Sequence, residues 1–149
     1  MAVLVSACLL GETCKWDGGT NFSPEVAALL REREVIPVCP EVAGGLPVPR
    51  LPAELRDGEV IRRDGVSVDR AFRDGAAACL ALCGGRRIDC AILKGRSPSC
   101  GSGAVYDGSF TGTLVPGDGV FAALLKANGI PVFTEEEWEE AAHALADRV

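Results

Sequence analysis

The chain has 149 residues, enough for one domain with its own core, and its hydrophobic (48%) and charged (24%) fractions are those of ordinary water-soluble domains. No apolar run is long enough to cross a bilayer and no secretory signal begins the chain, so we expect a cytoplasmic protein without a membrane partner. The net charge of −6, without a lysine or arginine stripe, argues against an extended nucleic-acid partner but allows a small ligand. Composition leaves the oligomeric state open.

The first half of the chain predicts two buried strands with a helix between them. Residues 2–6 form the first predicted strand and residues 35–38 the second. The intervening helix is predicted over residues 24–33, with Ser23 as its cap and a proline in its first turn. Residues 44–52 are rich in glycine and proline, which predicts a loop.

The second half continues the alternation of helices and strands. Helices are predicted over residues 69–84 and 118–128, each capped by its first aspartate. Strands are predicted over residues 88–93 and 130–133, and a capping box at residues 134–137 begins the last helix.

Strands separated by helices indicate parallel crossovers, with helices covering both faces of the sheet. The strand segments lack clean polar alternation, which is typical of strands buried on both faces. We therefore predict an α/β fold, a single-domain three-layer sandwich with a mostly parallel, Rossmann-like sheet spanning residues 1–149. The stretch 44–63 is interpreted as a flap rather than a linker between domains.

Cysteine is abundant, with seven residues in the chain. An odd number cannot pair completely into disulfides within one chain, and a reducing cytosol disfavours disulfides in any case. Metal binding, thiol chemistry and core packing are the remaining uses.

Three of these cysteines share one position in the predicted fold. Cys8, Cys39 and Cys100 each come shortly after a predicted buried strand. The carboxyl ends of parallel strands line one edge of a sheet, where ligands bind, so these thiols can meet there. Thiolates favour zinc, copper(I) or iron in clusters. Core packing is the other interpretation, because the chain has no Cys-x-x-Cys pair.

The other four cysteines occupy different surroundings. Cys79 and Cys83 lie one turn apart in an alanine-rich helix, and Cys90 lies within an apolar strand, so we predict that all three pack in the core. Cys14 follows Cys8 by six residues and is kept as an alternative ligand.

The motifs around the three strand-end cysteines make the sequence recognisable. It resembles a bacterial family, long known only as a domain of unknown function, that includes thiouracil desulfidases. The resemblance covers nearly the whole chain. It is carried by Val5-Ser6-Ala7-Cys8-Leu9-Leu10-Gly11, Trp16-Asp17-Gly18-Gly19, Val38-Cys39-Pro40-Glu41, Pro52-Ala53-Glu54, Ser97-Pro98-Ser99-Cys100-Gly101-Ser102-Gly103 and Gly117-Asp118-Gly119-Val120.

The resemblance implies a [4Fe–4S] cluster held by Cys8, Cys39 and Cys100, with its fourth iron open to a thiocarbonyl sulfur. It also implies that Glu41 and Ser97 are the assisting catalytic residues. The implied reaction replaces the sulfur of thiouracil, or of a related thiolated nucleobase or nucleotide, by oxygen. Hydrosulfide is released and no net electron transfer is needed.

Elementary chemistry agrees with these implied roles. A metal that polarises a C=S bond exposes its carbon to water, and Glu41, two residues from Cys39, can remove the proton from that water. Ser97 can donate a hydrogen bond to the substrate. Without the resemblance, a solvated loop acid and a turn or cap residue are the simpler interpretations of these two residues.

Two other classes of protein remain open at this point. A structural or regulatory zinc module would close its metal with Cys8, Cys14, Cys39 and Cys100, since structural zinc takes four ligands. A cluster-free thiol oxidoreductase would instead carry a thiolate of lowered pKa at one of the three strand-end sites.

Overall fold

A computed structural model describes residues 2–146 of the chain. The sheet elements and helices alternate through most of that range, with two short 3-10 turns at Ala7–Leu10 and Glu135–Glu137. In chain order they are β1 (Ala2–Ser6), α1 (Pro24–Leu29), β2 (Val35–Val38), α2 (Pro40–Ala43), β3 (Ala53–Arg56), β4 (Glu59–Arg62), α3 (Asp69–Ala81), β5 (Ile88–Leu93), β6 (Ala104–Tyr106), β7 (Leu114–Pro116), α4 (Val120–Ala127), β8 (Val132–Thr134) and α5 (Trp138–Ala146).

The centre of the molecule is a four-stranded sheet in the order β2-β1-β5-β8, and all its neighbouring strands are parallel. The chain passes from β1 outward to β2 and then returns across β1 to β5, so its direction of winding reverses between β1 and β5. Such a reversal opens a crevice at the carboxyl edge of the sheet. The predicted α/β fold with a mostly parallel, Rossmann-like sheet is confirmed.

Helices cover both faces of the sheet, because successive side chains of its strands point to opposite sides. Val3 and Val5 of β1 pack against α1 and α5, whereas Leu4 packs against α3 and α4. Residues 90–93 of β5 alternate in the same way between the two clusters. This arrangement is the predicted three-layer sandwich, and it explains why the strand sequences show no polar face.

Two antiparallel hairpins lie outside this sheet, one formed by β3 and β4 and the other by β6 and β7. The first occupies much of the stretch 44–63 that was interpreted as a flap. Its tight turn is Asp57-Gly58, both with positive φ, the conformation that a two-residue hairpin turn requires. The Asp-Gly pair is the sequence signal for this hairpin.

Several predicted helix boundaries are wrong. Ser23 does cap α1 by accepting a hydrogen bond from the Val26 amide, but the helix ends at Leu29 rather than at residue 33. Leu30 closes the helix with its amide bonded to the Val26 carbonyl, and the Arg31 and Arg33 amides then bond to carbonyls three residues back. Helix α3 ends at Ala81, before the predicted residue 84.

The two predicted aspartate caps serve other groups. Asp69 is the first residue of α3, and its carboxylate accepts from the Val60 amide at 3.0 Å. Asp118 precedes α4 and accepts from the Gly103 amide and the Lys126 ammonium, each at 2.9 Å. Both carboxylates therefore connect a hairpin or loop to a helix instead of closing the helix end.

Helix α2 packs against α3 without intervening side chains. A Cβ placed on Gly75 would overlap the Pro40 carbonyl, and a Cβ on Gly44 would overlap the Ala71 carbonyl. This close approach fixes the short helix that follows β2. Within residues 2–146, no helix combines the length and the apolar character that a bilayer crossing requires.

Candidate active site

A cleft of about 380 Å³ opens at the carboxyl edge of the sheet, where the winding reverses. Its volume falls in the range of small-molecule sites. Residues that follow β1, β2 and β5 line it, together with the segment 14–16 and residues of the two hairpins. The lining consists of Ser6, Ala7, Cys8, Cys14, Lys15, Trp16, Asn21, Val38, Cys39, Pro40, Glu41, Pro52, Ala53, Glu54, Lys94, Gly95, Arg96, Ser97, Pro98, Cys100 and Tyr106.

All five residues that the sequence singled out line this cleft, namely Cys8, Cys39, Cys100, Glu41 and Ser97. Cys14, the alternative ligand, lines it as well. The remaining cysteines are absent from the lining and lie buried in the two hydrophobic clusters beside the sheet, as predicted for Cys79, Cys83 and Cys90.

The three strand-end thiols reach the cleft from three different segments. Cys8 lies in the 3-10 turn after β1, Cys39 joins β2 to α2, and Cys100 ends the loop after β5. Cys100 is buried, whereas Cys8 and Cys39 are partly exposed. The arrangement therefore has a covered side at Cys100 and an accessible side at the other two thiols.

Polar groups surround these sulfur atoms. The Asn21 amide donates to Cys8 Sγ at 3.4 Å, and the Ser6 hydroxyl hydrogen-bonds the Cys100 thiol. The Cys39 thiol lies 3.9 Å from the Cys14 carbonyl oxygen. Hydrogen bonds to thiolate sulfur tune iron–sulfur centres and orient their ligands, so the cleft provides both donors and soft ligands.

Three thiols of this cleft, those of Cys8, Cys14 and Cys100, have a raised pKa that favours their neutral form. Burial raises the pKa of Cys8 and of Cys100, and nearby cysteines raise both further. Burial and the neighbouring Cys39 likewise raise the pKa of Cys14. A nucleophilic thiol needs the opposite shift, so these directions disfavour a thiol oxidoreductase that acts through any of these three residues. Coordination of a soft metal would displace the proton instead.

Glu41 lies in the first turn of α2, and its side chain is 23% exposed. Arg50 Nη2 lies 3.4 Å from its Oε2. Burial raises the pKa of Glu41, although the Arg50 guanidinium opposes that effect. Glu41 is therefore a partly buried acid facing the cleft rather than the solvated loop acid of the simpler interpretation.

Ser97 has the structural role that a turn residue would have. Its Oγ accepts hydrogen bonds from the Ser99 amide at 3.0 Å and the Cys100 amide at 3.1 Å. These bonds shape the turn that carries Cys100 into the cleft. Because a hydroxyl has two acceptor positions and one proton, the Ser97 proton remains available to a bound molecule.

An ion pair connects one wall of the cleft to the last helical segment. Lys94 Nζ lies 3.0 Å from Glu135 Oε1, and Glu135 Oε2 accepts from the Gly95 amide at 2.7 Å. The acidic run of residues 135–140 is typical of a solvated helix start, yet Glu135 is clamped against the strand end. The sequence carries no signal for this pairing, because 40 residues separate Glu135 from Gly95.

Sequence reasoning also missed Asn21 and Arg50. Asn21 lies in a segment without periodicity, so its contact with Cys8 appears only after folding. Arg50 lies in a proline-rich loop and looks solvent-exposed, but its side chain is only 6% exposed. The sequence feature that could have indicated a buried Arg50 is its position as a basic residue within an otherwise apolar loop segment.

The residues of the cleft fit the [4Fe–4S] group that the family resemblance implies. Such a cluster takes thiolate ligands and benefits from hydrogen bonds to sulfur, and both are present. Within residues 2–146, no group of three or more histidine, cysteine or acidic side chains is spaced to hold a single metal ion. A cluster holds its thiolates further apart than one ion does, so this result concerns a single ion and not a cluster.

Comparison with known proteins gives a consistent result. Residues 3–137 match the family model described as 2-thiouracil desulfurase. An uncharacterized Bacillus subtilis (strain 168) protein, YbbK, is 38% identical over 145 residues, which cover 91% of this chain and 96% of that protein. A solved structure described as the [4Fe–4S]-dependent thiouracil desulfidase TudS is 44% identical, with a TM-score of 0.90 and 97% of each chain covered. This chain therefore belongs to the 2-thiouracil desulfurase family.

Proposed function

We propose that this protein is a [4Fe–4S]-dependent desulfidase, which replaces the thiocarbonyl sulfur of thiouracil or a related thiolated nucleobase or nucleotide by oxygen and releases hydrosulfide. The observation that carries this proposal is the meeting of three strand-end thiols with Glu41 and Ser97 in one cleft of a 2-thiouracil desulfurase family member. The similar solved structure, described as a [4Fe–4S]-dependent thiouracil desulfidase, supports the cofactor.

The ligands of the cluster in this proposal are Cys8, Cys39 and Cys100. When bound, the cluster supplies a Lewis-acidic iron that attracts and polarises a thiocarbonyl sulfur. Asn21 donates to the Cys8 sulfur and Ser6 to the Cys100 sulfur, which orients these two ligands.

Glu41 acts in the proposed reaction as the proton carrier. Its carboxylate takes a proton from the water that supplies the product oxygen, and it returns the proton as the sulfur departs. Ser97 donates a hydrogen bond to the substrate and keeps its proton, because its acceptor positions are already occupied by the Ser99 and Cys100 amides. The thiocarbonyl sulfur leaves as hydrosulfide, and water supplies the oxygen, so the exchange needs no external electrons.

Two aromatic side chains line the cleft and suit a planar base. Trp16 is 42% exposed and Tyr106 is partly exposed, and both line the same cleft as the thiols. Bases stack on aromatic side chains, which supports a heterocyclic substrate in this cleft.

The proposed setting is the cytoplasm, where reducing conditions keep thiols available for a cluster. Residues 1–149 act as one desulfidase domain in this proposal, without a membrane or an extended nucleic-acid partner.

The function is tested by incubating anaerobically reconstituted protein with 2-thiouracil in the absence of any reductant. We expect uracil and hydrosulfide in equal amounts, with repeated turnover. Reconstituted Cys39→Ala is the matched control and should give neither product. No uracil from cluster-loaded protein, or an absolute requirement for added electrons, would contradict the proposed reaction.

Among residues 2–146 the thiols are not spaced to hold a single metal ion, which weighs against the alternative of a zinc-binding module. Such a module would need Cys14 and the three strand-end cysteines, which all line the cleft, to move together into a set of four ligands. Structural zinc prefers such a closed set of four ligands. A colourless protein with one zinc ion per chain would favour this candidate, and iron with inorganic sulfide would favour the desulfidase.

A further inference from the structure

Arg50 is a buried arginine behind the cleft, in the loop between α2 and β3. Its side chain is 6% exposed, so its charge requires a partner that offsets the loss of hydration. Glu41 is that partner, with 3.4 Å between Arg50 Nη2 and Glu41 Oε2.

Three further contacts attach Arg50 to the surrounding loops. Its Nη2 donates to the Cys14 carbonyl at 2.8 Å, and its Nη1 donates to the Pro47 carbonyl at 3.1 Å. Its backbone amide donates to the Trp16 carbonyl at 2.7 Å. The same Nη2 atom therefore bridges Glu41 and the segment that carries Cys14 and Trp16 into the cleft.

The position of the guanidinium leaves one of its own donors without a partner among the described residues. Its Nε is buried and has no hydrogen-bond partner among residues 2–146. A buried unpaired donor is costly, so the position of the group needs a reason beyond anchoring its own loop. The contact with Glu41 supplies that reason.

Glu41 needs an external contact to hold its carboxylate in place. Helix α2 has only four residues, and a glutamate side chain loses substantial rotamer freedom when it is fixed. Arg50 is the cation in contact with that carboxylate among the ion pairs of the described residues.

We propose that Arg50 is a positioning residue, which holds the Glu41 carboxylate toward the cleft and couples it to the wall formed by residues 14–16. This inference rests on the proposed function, in which Glu41 moves the proton. Its competitor is a purely structural role, in which Arg50 only anchors the loop of residues 44–52.

The two roles differ in what Arg50→Met changes. If Arg50 acts through Glu41, kcat for 2-thiouracil should fall about 10- to 100-fold, the usual effect of losing a partner that orients a functional group. KM and the iron content after reconstitution should stay near wild type, whereas the melting temperature of the cluster-free protein should fall, because Glu41 and the Cys14 and Pro47 carbonyls lose their partner. Arg50→Lys keeps the positive charge but loses the planar guanidinium with its several donors, so its kcat should lie between those of Arg50→Met and wild type.

A double-mutant cycle with Glu41→Gln isolates the proposed coupling. Residues that act as one unit are strongly non-additive. We therefore expect Arg50→Met to cause no further fall in kcat when Glu41 is already Gln. A full additional fall in the Glu41→Gln background would overturn the proposal, as would normal kcat in Arg50→Met alone.

A crystal structure of cluster-free Arg50→Met provides a readout that does not depend on activity. We expect the Glu41 carboxylate to leave its wild-type position while α2 keeps its backbone. The proposal would be refuted if the carboxylate kept its wild-type position. It would also be refuted if Arg50→Met and Arg50→Lys both failed to fold, because Arg50 would then have a structural role. If wild-type protein loads the cluster but never converts 2-thiouracil, the proposed function fails, and this structure still decides whether Arg50 positions Glu41.

Discussion

The seven cysteines divide into two groups that burial alone does not separate. Cys100 of the cleft and Cys83 of the core are almost equally buried, at 6% and 7% exposure. Position separates them, because the cleft cysteines lie in segments at the carboxyl edge of the sheet and the others lie within α3 or β5 or directly after α3. The cleft group is Cys8, Cys14, Cys39 and Cys100, and the core group is Cys79, Cys83 and Cys90.

Polar surroundings further distinguish Cys8 and Cys100 from Cys83. Cys8 and Cys100 each receive a hydrogen bond from a side chain, Asn21 or Ser6. The Cys83 thiol instead turns back to the Cys79 carbonyl, one helical turn earlier, at 4.0 Å. A cysteine whose thiol only turns back to the preceding helical turn behaves as a small hydrophobe, whereas a cysteine at a strand end among side-chain donors has the surroundings that suit a proposed metal ligand.

The largest expected effect is on cluster retention and tests this division directly. Cys8→Ala, Cys39→Ala and Cys100→Ala should each lose the cluster after anaerobic reconstitution, because each removes one of the three proposed ligands. Cys79→Ala and Cys83→Ala are matched controls and should keep wild-type iron content. Iron and sulfide analysis measures the outcome. Full cluster loading of Cys39→Ala would contradict the division of the cysteines into a cleft group and a core group. The same analysis of Cys14→Ala shows whether the fourth thiol is needed.

The next largest effect concerns catalysis without cluster loss. Glu41→Gln keeps the shape of the side chain but cannot accept a proton as a carboxylate does. Turnover of 2-thiouracil should fall about 10²- to 10⁴-fold, the usual contribution of a positioned acid or base, while iron content stays constant. Glu54→Gln is the control acid, since Glu54 lines the cleft but its carboxylate holds the Gly108 and Phe110 amides. Near-normal turnover by cluster-loaded Glu41→Gln would exclude Glu41 as the proton carrier.

A smaller effect is expected where α2 meets α3. Gly75→Ala places a methyl group against the Pro40 carbonyl, so α2 must move away from α3. Overpacking of this kind lowers the free energy of unfolding by about 1–3 kcal/mol, and the shift should also weaken cluster retention because Cys39 directly precedes α2. Ala77→Ser, at an exposed position of α3, should change neither quantity. Denaturant unfolding and iron analysis test both, and a fully stable Gly75→Ala would contradict this packing.

The smallest expected effect concerns the donor to Cys8. Asn21→Ala removes the amide that donates to Sγ, which should weaken cluster retention about tenfold and shift the reduction potential of the cluster. Thr20→Val is the matched control, because Thr20 donates to the Cys8 carbonyl at 2.8 Å and not to the sulfur. Chelator competition and a redox titration measure the two quantities. Equal potentials in Asn21→Ala and Thr20→Val would show that the amide does not tune the sulfur.

The sheet and the position of the thiols could be predicted because both follow from local patterns. Buried apolar segments such as residues 88–93 predict strands, and a cysteine just beyond such a segment must lie near the edge where the strand ends. Cys8 and Cys100 illustrate this, since each strand end was read correctly from the sequence.

The supporting contacts could not be predicted because they join distant parts of the chain. Asp118 looks like a helix cap but accepts from Gly103 and Lys126, and local sequence does not distinguish these uses. Glu135 and Arg50 look solvent-exposed for the same reason, although folding pairs them with Lys94 and Glu41. The sequence patterns thus predict which edge of the sheet carries the candidate reactive groups, and only the tertiary structure shows the contacts around them.

The most direct test of the central claim is metal and inorganic sulfide analysis of the wild-type protein after anaerobic purification, with its visible spectrum recorded on the same sample. We expect iron and sulfide in the ratio of a [4Fe–4S] group, one group per chain, and a broad visible absorption. A colourless protein that contains one zinc ion per chain, and no sulfide even after reconstitution, would contradict the claim that these strand-end thiols hold an iron–sulfur cluster.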